Sequence, residues 1–450
     1  MSWIQPMPRA RYKQLVDQLA ADIRCGALAP GTRLPTHREL AAQHGIALVT
    51  ASRVYAELHA MGLVSGETGR GTFVRETSLA PGHGIDQPAT EGGMLDLNFN
   101  YPTSPGQADL LRQALRQLAL SGDLEALLRY QPHAGRPHER ALLARHLTDQ
   151  GLPVTAQQVL IVNGAQHGLA LTLQTLLKPG DVVAVDALTY PGFKAAAAAR
   201  GVELLAVPCD ASGPDFAALA ALCRTRRVRA IYSMPTLHNP LGWVLDRPQR
   251  ERLIEIAREH DLLIIEDAAY AFLASSAPAP LAALAPERTV HVSGFSKNIA
   301  TGLRVGYLTA PAVWVAALER SIRASTWNTP GIMTALVCAW IEDGTLARLQ
   351  AQKREDARCR QARARRVLAG LQPIGHEAGY FLWLPLPTEV RADQVVARLL
   401  HEQVAVSTAE PFSTSEQVPH ALRLALGSVT LAQLEDGLDK VRQAIAHFAY

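Results

Sequence analysis

The chain has 450 residues, of which 48% are hydrophobic, 19% charged and 6% aromatic, a composition that excludes a disordered or fibrous protein. This length is more than one hydrophobic core usually serves, so two or three domains are expected. The net charge is only +3, but residues 1–77 hold nine Lys or Arg against six Asp or Glu, whereas the remainder holds 35 of each. An excess of positive charge at one end is the pattern that nucleic-acid binding requires.

Cysteine and hydropathy patterns favour a cytoplasmic protein without membrane segments or metal sites. The five cysteines are scattered and have no metal-type spacing, which is typical of a reducing compartment. No apolar segment follows the basic residues at the N-terminus, so no signal peptide is predicted. The longest apolar run, residues 332–341, is about half as long as a membrane span.

The first 77 residues have the pattern of a winged helix-turn-helix. Apolar residues at helical spacing end at a Pro-Gly turn, and Thr36 with Glu39 three residues later forms a capping box that begins a second helix. Three helices followed by a β-hairpin are typical of this fold. Helices are predicted over residues 9–24, 36–44 and 49–60, and a hairpin over 63–74.

The rest of the chain predicts an α/β domain. Residues 78–93 are rich in Pro, Gly, Ser and Thr without apolar periodicity, which indicates a linker. From Leu95 to about residue 310, apolar runs alternate with helical segments, so a mostly parallel sheet with helices on both faces is expected. The predicted domains are a winged helix (1–77), a linker (78–93) and an α/β domain (94–450) with a large subdomain (about 120–310) and a smaller C-terminal α+β subdomain (about 311–450).

The N-terminal motifs resemble the GntR-type winged helix. The resemblance lies in residues 28–41, in Thr50 with Arg53-Val54-Tyr55, and in 69–74. It implies binding to double-stranded DNA, with arginines that suit base edges in the major groove and phosphates. The residues expected to contact DNA are Arg33, Arg38, Thr50, Arg53 and Arg70.

The start of the recognition helix departs from the GntR pattern. The family usually has a serine and an arginine where this chain has Ala47 and Leu48. A helix N-cap and a phosphate or base contact are therefore missing, so we expect a different DNA affinity or sequence preference.

Four motifs after the predicted linker carry cofactor chemistry. Asn163-Gly164-Ala165-Gln166 joins an apolar run to a helix whose N-terminal N–H groups suit a phosphate, although such junctions occur in many α/β folds. Asn239 precedes Pro240 and Gly242 in a specific turn, and Asp267 ends a very apolar strand, where it suits either a cofactor or a helix cap. Lys297 follows a small-residue turn, with Arg304 seven residues later. A lysine there can form a Schiff base with an aldehyde.

Together these motifs resemble the fold-type I pyridoxal-5′-phosphate enzymes of the aminotransferase class, over most of residues 95–450. The resemblance implies a Schiff base on Lys297, a ring-nitrogen partner in Asp267 and a carboxylate-binding arginine in Arg423. Gly294 stands where relatives have Ser or Thr, so one phosphate contact is expected to be absent. The remaining cofactor residues that it implies are Ala165, Gln166, Ser296 and Arg304 at the phosphate, Tyr190 stacked on the ring, and Asn239 and Tyr270 at the phenolic oxygen.

The fusion of the two parts resembles the MocR subfamily of bacterial transcriptional regulators. Tyr130 matches a tyrosine that reaches the phosphate from the partner subunit, so the resemblance implies a domain-swapped homodimer on operator DNA. Our hypothesis is a sensor in which an amino compound, or the cofactor itself, forms an aldimine at Lys297 and changes the relation of the domains. The alternative is an active aminotransferase with an accessory DNA-binding domain. A relic that binds DNA but no cofactor is a third reading, which the intact lysine and its partners disfavour.

Overall fold

The computed structural model describes residues 11–24, 27–28, 32–61, 63–67, 71–74, 94–102, 106–121, 124–415 and 418–449. The predicted linker, 78–93, and the predicted DNA contact Arg70 lie outside these residues.

The N-terminal part contains the predicted three helices and hairpin. The Glu39 amide donates to the Thr36 hydroxyl at 3.3 Å and the Thr36 amide donates to the Glu39 carboxylate at 2.7 Å, so the capping box is confirmed. Gly45 then ends the helix in the left-handed region, with φ of +59°. The elements are α1 (Arg11–Arg24), α2 (His37–His44), α3 (Leu48–Ala60), β1 (Val64–Glu67) and β2 (Gly71–Val74).

A seven-stranded sheet forms the centre of the second part, in the order β4-β12-β11-β10-β9-β5-β6. All neighbours are parallel except β12, which runs antiparallel to β11 and β4, so the prediction of a mostly parallel sheet is confirmed. The elements up to residue 310 are β3 (Leu95–Asp96), α4 (Gln107–Ser121), α5 (Leu124–Leu127), α6 (Pro137–Asp149), β4 (Val159–Val162), α7 (Ala165–Leu176), β5 (Val182–Asp186), α8 (Pro191–Arg200), β6 (Glu203–Val207), β7 (Cys209–Asp210), β8 (Gly213–Pro214), α9 (Phe216–Thr225), β9 (Val228–Ser233), α10 (Arg247–Glu259), β10 (Leu263–Asp267), α11 (Leu281–Leu284), β11 (Thr289–Gly294) and β12 (Gly306–Thr309).

Helices cover both faces of this sheet because its strands are apolar on both sides. Val183 and Val185 point into a core shared with α7 and α8, whereas Val182 and Ala184 point into a core shared with α9 and α10. Such strands read as continuous apolar runs, which is why sequence located most of them.

A smaller sheet in the order β13-β16-β15 lies in the C-terminal part, and β14 pairs with β3. Helices α12 and α13 follow residue 310 and lie beside the larger sheet, where α12 packs with α7 and α13 packs with α6. Ile322 of α12 and Trp340 of α13 are buried there. The remaining elements are α12 (Ala312–Ser325), α13 (Gly331–Glu342), α14 (Thr345–Val367), β13 (Phe381–Pro385), α15 (Ala392–His401), β14 (Val404–Ala405), β15 (Ser407–Thr408), β16 (Ala421–Ala425) and α16 (Leu431–Phe448). No helix among the described residues is long and apolar enough to span a membrane.

Candidate functional site

The residues that sequence assigned to a cofactor meet in one cavity of about 270 Å³. It lies where β5, β9, β10 and β11 end, because the carboxyl ends of parallel strands meet at one edge of the sheet. A segment from Asn98 to Tyr101 lines the cavity from the side of the C-terminal sheet. The predicted residues that line it are Ala165, Gln166, Tyr190, Asn239, Asp267, Tyr270, Ser296, Lys297, Arg304 and Arg423.

The start of α7 and the Arg304 side chain form an anion-binding corner of the cavity. The first N–H groups of a helix have no partner within the helix, and those of α7 belong to Ala165 and Gln166. The Arg304 guanidinium donates to Ser296 Oγ at 3.3 Å and to the Asn163 carbonyl at 3.3 Å. This corner therefore combines helix N–H groups, a hydroxyl and a guanidinium, which are suitable donors for a phosphate.

Glycines allow three chain segments to meet at this corner. Gly164 has φ of +81°, in the left-handed region that favours glycine. A Cβ on Gly306 would lie 2.6 Å from the carbonyl carbon of Gly164. A Cβ on Gly294 would lie 3.1 Å from the Val305 carbonyl and 3.3 Å from the Ala165 amide. A side chain at position 294 would crowd the helix start, so Gly294 fits the close approach of β11 and α7.

Lys297 extends from the loop after β11 into the cavity. Its Nζ donates to the Asn100 carbonyl at 2.8 Å and lies 5.7 Å from the centre of the Tyr270 ring. The side chain thus bridges the large sheet and the segment that lines the opposite wall.

Asp267 lies completely buried at the end of β10, where burial raises the pKa of its carboxyl. Two hydrogen bonds act against this shift: the Ala269 amide donates to Oδ1 at 3.0 Å, and the Tyr232 hydroxyl donates to Oδ2 at 2.9 Å. Tyr232 lies on the adjacent strand β9 and is 1% exposed, and its ring stacks on Phe193 with centroids 3.7 Å apart. It therefore holds the carboxylate in place.

Sequence analysis missed Tyr232 because it occurs within an apolar strand. A tyrosine there has the pattern of a core residue, and only the register of β9 against β10 brings its hydroxyl to Asp267. The segment around Asn100 was missed as well, since it contains no recognisable motif.

We predict that Tyr232→Phe weakens cofactor binding by about tenfold, because a hydrogen bond to a buried carboxylate is worth about 1.5 kcal/mol. The dissociation constant of pyridoxal phosphate, measured by absorbance titration, checks this. Tyr307→Phe is the matched control, since Tyr307 is also a buried strand tyrosine but lies outside the cavity. Equal affinities for Tyr232→Phe and wild type would contradict the positioning role.

Arg423 projects from β16 into the cavity. It is 9% exposed, burial lowers the pKa of its guanidinium, and the guanidinium carbon lies 5.0 Å from the centre of the Phe412 ring. Its Nε has no hydrogen-bond partner within the described part of the chain. A buried guanidinium with an unused donor fits an anionic ligand.

Other orphaned buried atoms mark the cavity as a ligand-binding site, for which the sequence predicts pyridoxal phosphate. Asn239 Oδ1 and Gln166 Oε1 have no hydrogen-bond partner in the described chain, and both side chains line the cavity. Unpaired polar atoms at buried positions are unusual, and they gather where ligands bind. The phosphate corner, Asp267 and Lys297 supply the other groups that this cofactor needs.

Tyr130 is the predicted cofactor residue that does not line the cavity. It is 84% exposed, and its ring lies 5.3 Å from that of Trp327. Within a single chain it therefore cannot contribute to the site.

The predicted DNA contacts that the structure describes lie on or near α2 and α3. Arg33, Arg38 and Arg53 are exposed, and Thr50 is half-buried. Arg53 lies 4.4 Å from the centre of the Tyr12 ring and 3.8 Å from the Glu57 carboxylate. Helix α3 begins after Ala47, which provides no side-chain cap, as its sequence predicts. Val49 in the first turn of this helix is 80% exposed.

Comparisons with known proteins match both halves. Residues 93–441 match the family "Aminotransferase class I and II", and residues 11–74 match "Bacterial regulatory proteins, gntR family". The chain is 30% identical to the HTH-type transcriptional regulator TauR of Rhodobacter capsulatus, over 97% of this chain and 96% of TauR. It is 28% identical to the HTH-type transcriptional regulator YdeF of Bacillus subtilis, over 99% of this chain and 97% of YdeF.

Among solved structures, the chain is similar to LysN, an alpha-aminoadipate aminotransferase from Thermus thermophilus complexed with N-(5′-phosphopyridoxyl)-L-leucine. The identity is 26%, the TM-score is 0.72, and the match covers 80% of this chain and 93% of LysN. The part of this chain that lies outside the match is about as long as the N-terminal winged helix and the residues that follow it.

Proposed function

Because this chain belongs to the aminotransferase class I and II family and carries a GntR-type DNA-binding domain, we propose that it is a pyridoxal-phosphate-dependent transcriptional regulator that senses an amino compound or the cofactor itself at Lys297. The observation that carries the proposal is the convergence of Lys297, Asn239, Asp267 and Arg423 on one cavity in a chain with a DNA-binding domain.

The family's cofactor is pyridoxal 5′-phosphate, which supplies an aldehyde that bonds reversibly to amines and a ring that withdraws electrons. In our proposal the α7 N-terminus, Ser296 and Arg304 would bind its phosphate, and Asp267, held by Tyr232, would bind its ring nitrogen. Tyr190 would cover the ring, and Asn239 with Tyr270 would bind the phenolic oxygen, since all three line the cavity. Lys297 would supply the amine that bonds to the cofactor's aldehyde.

Arg423 limits the compounds that such a site recognises. Its guanidinium is buried in the same cavity and is suited to a carboxylate or another planar anion. We therefore expect the effector to carry an amine and an anionic group.

An active aminotransferase is the second candidate, and it is favoured by one observation: Lys297 is a lysine inside the cavity and could also move a proton during transamination. Incubation of the purified full chain with amino donors and keto acids distinguishes the two. The sensor proposal predicts a stoichiometric absorbance change with no sustained turnover, whereas many turnovers at ordinary enzyme rates would favour the enzyme.

We further propose that the chain acts as a domain-swapped homodimer with Tyr130 reaching the partner's cavity. Tyr130 belongs to an exposed apolar surface on α4, α5 and the start of α13, of the kind that protein interfaces cover. Its members, all at least 39% exposed, are Leu115, Leu120, Leu124, Leu128, Tyr130, Trp327 and Ile332.

For the DNA-binding half, we predict that Arg53→Ala weakens operator binding and reduces the slope of log affinity against log salt by about one, as the loss of one phosphate contact requires. The operator is located by footprinting the DNA beside the protein's own coding region, and affinities are measured by anisotropy at several salt concentrations. Arg247→Ala is the control, since Arg247 is an exposed arginine on α10 that pairs with Glu251 four residues later, as Arg53 does with Glu57. A slope identical to wild type would remove the assignment of Arg53 to a phosphate.

A further inference from the structure

A second cavity, also of about 270 Å³, lies on the other face of strand β10. Consecutive residues of a strand point to opposite faces of the sheet, so Asp267 lines the cofactor cavity while Glu266 lines the second cavity. The loop after β11 repeats this division, because Lys297 lines the first cavity and Asn298 lines the second. The two cavities are therefore separate, and an occupant of the second cavity would lie against the segments that carry Asp267 and Lys297.

The floor of the second cavity is a row of polar side chains on three neighbouring strands. Glu266 of β10 and His291 of β11 are partners in the strand register, as are Ser293 of β11 and Tyr307 of β12. All four side chains line the cavity. Buried polar groups of this kind are maintained where they bind each other or a ligand.

Glu266 is already satisfied within the protein. Its carboxylate accepts from the Leu281 amide at 2.9 Å and from the Ala282 amide at 3.0 Å, and the His291 Nδ1 lies 3.0 Å away. Burial raises the pKa of this carboxyl, but His291 and the two amides outweigh burial and lower the pKa overall, so Glu266 is an anion. A ligand does not need to supply a cation for it.

Two other groups that line the second cavity lack partners. Asn298 is 6% exposed, and its Oδ1 has no hydrogen-bond partner within the described chain. Arg354 of α14 is half-buried, donates from Nη1 to the Phe272 carbonyl at 2.9 Å, and forms no ion pair with a carboxylate of the described residues. Burial and the like charge of Arg358 lower the pKa of the Arg354 guanidinium. Such a cation fits an anionic ligand, and the unpaired amide oxygen fits a hydrogen-bond donor.

The charges around the second cavity select among anions. Because Glu266 is ionised in the floor, a dianion such as phosphate is repelled more strongly than a carboxylate with a single charge. His146 also lines the cavity, but burial lowers the pKa of its ring, so it adds no positive charge at neutral pH. The cavity therefore suits a singly charged carboxylate.

We propose that the second cavity binds a small carboxylic acid that also carries a hydroxyl or amino group, with the carboxylate at Arg354 and the donor at Asn298. The inference goes beyond the sensor function and does not depend on it, because the site lies outside the cofactor cavity.

L-lactate is the probe, since it has a carboxylate and a hydroxyl but no amine that could react with the cofactor's aldehyde. Every protein in the test contains bound pyridoxal phosphate and the substitution Arg423→Met, which removes the carboxylate-binding arginine of the cofactor cavity. A titration followed by saturation-transfer NMR measures the dissociation constant of lactate. We expect saturable binding to this parent protein.

Arg354→Met in the parent protein is expected to weaken lactate binding by about tenfold or more, because a charge-assisted contact is lost. Asn298→Ala is expected to weaken it roughly threefold, as the loss of one neutral hydrogen bond requires. Arg358→Met is the matched control and leaves the affinity unchanged, since Arg358 lies one turn later on α14, pairs with Glu355 at 3.6 Å and does not line the cavity. An unchanged cofactor absorbance shows that each variant is folded.

The absence of saturable lactate binding in the parent protein, or equal affinities of the parent and Arg354→Met, would overturn the proposal. An equal loss of affinity in Arg358→Met would do the same. Displacement of lactate by an equal concentration of inorganic phosphate would contradict the selection of a singly charged carboxylate.

Discussion

Lys297→Ala is expected to abolish covalent attachment of pyridoxal phosphate completely. Among the described residues that line the cavity, Lys297 is the one lysine. Its Nζ donates to the Asn100 carbonyl at 2.8 Å, which orients it. Without an amine at this position the visible absorbance of the protein-bound imine disappears. Non-covalent binding of the cofactor remains, because Arg304 and the start of α7 are unchanged.

Borohydride reduction and peptide mapping check the assignment directly. The wild type is expected to carry the phosphopyridoxyl group on the peptide that contains Lys297. Lys353→Met is the informative control: Lys353 is another buried lysine, burial lowers its pKa to about 8, and its ammonium is bound to the Pro102 carbonyl. A labelled Lys353 peptide, or a persistent band in Lys297→Ala, would move the covalent bond elsewhere.

Arg423→Met is expected to remove the site's preference for amines that carry a carboxylate. Methionine keeps much of the stem volume beside Phe412 but has no charge. A charge-assisted contact is worth about 1.5–3 kcal/mol, so the affinity for L-alanine should fall roughly 10- to 150-fold. Ethylamine, which is alanine without its carboxylate, should bind both proteins equally.

Titration of the cofactor absorbance with the two amines measures this preference. The ratio of alanine to ethylamine affinity is compared between wild type and variant, which cancels the different basicities of the amines. An unchanged ratio in Arg423→Met would show that another group binds the carboxylate.

The sequence was sufficient to locate those cavity-lining residues that belong to local motifs. Asn239, Asp267, Lys297 and Arg304 each occur at the end of an apolar strand or in a small-residue turn, and parallel strands bring such ends together. The capping box at Thr36 was predictable for the same reason, since its two partners are three residues apart.

Features that depend on distant pairing could not be predicted. Tyr232 contacts Asp267 only because β9 and β10 are adjacent in a particular register. Lys13 counted as a basic residue at the DNA-binding end, yet it contacts Thr388, 375 positions away. The periodicity of apolar residues along the sequence contains no information about such contacts.

The most direct test of the proposed sensor is the affinity of the full-length protein for its operator, measured with and without pyridoxal phosphate and a panel of amino compounds, in wild type and in Lys297→Ala. We predict that at least one compound changes the wild-type affinity by about 5- to 150-fold, the range of a coupling free energy of about 1–3 kcal/mol, and leaves Lys297→Ala unaffected. Equal responses of the two proteins, or no response of the wild type to any compound, would contradict control of DNA binding through Lys297.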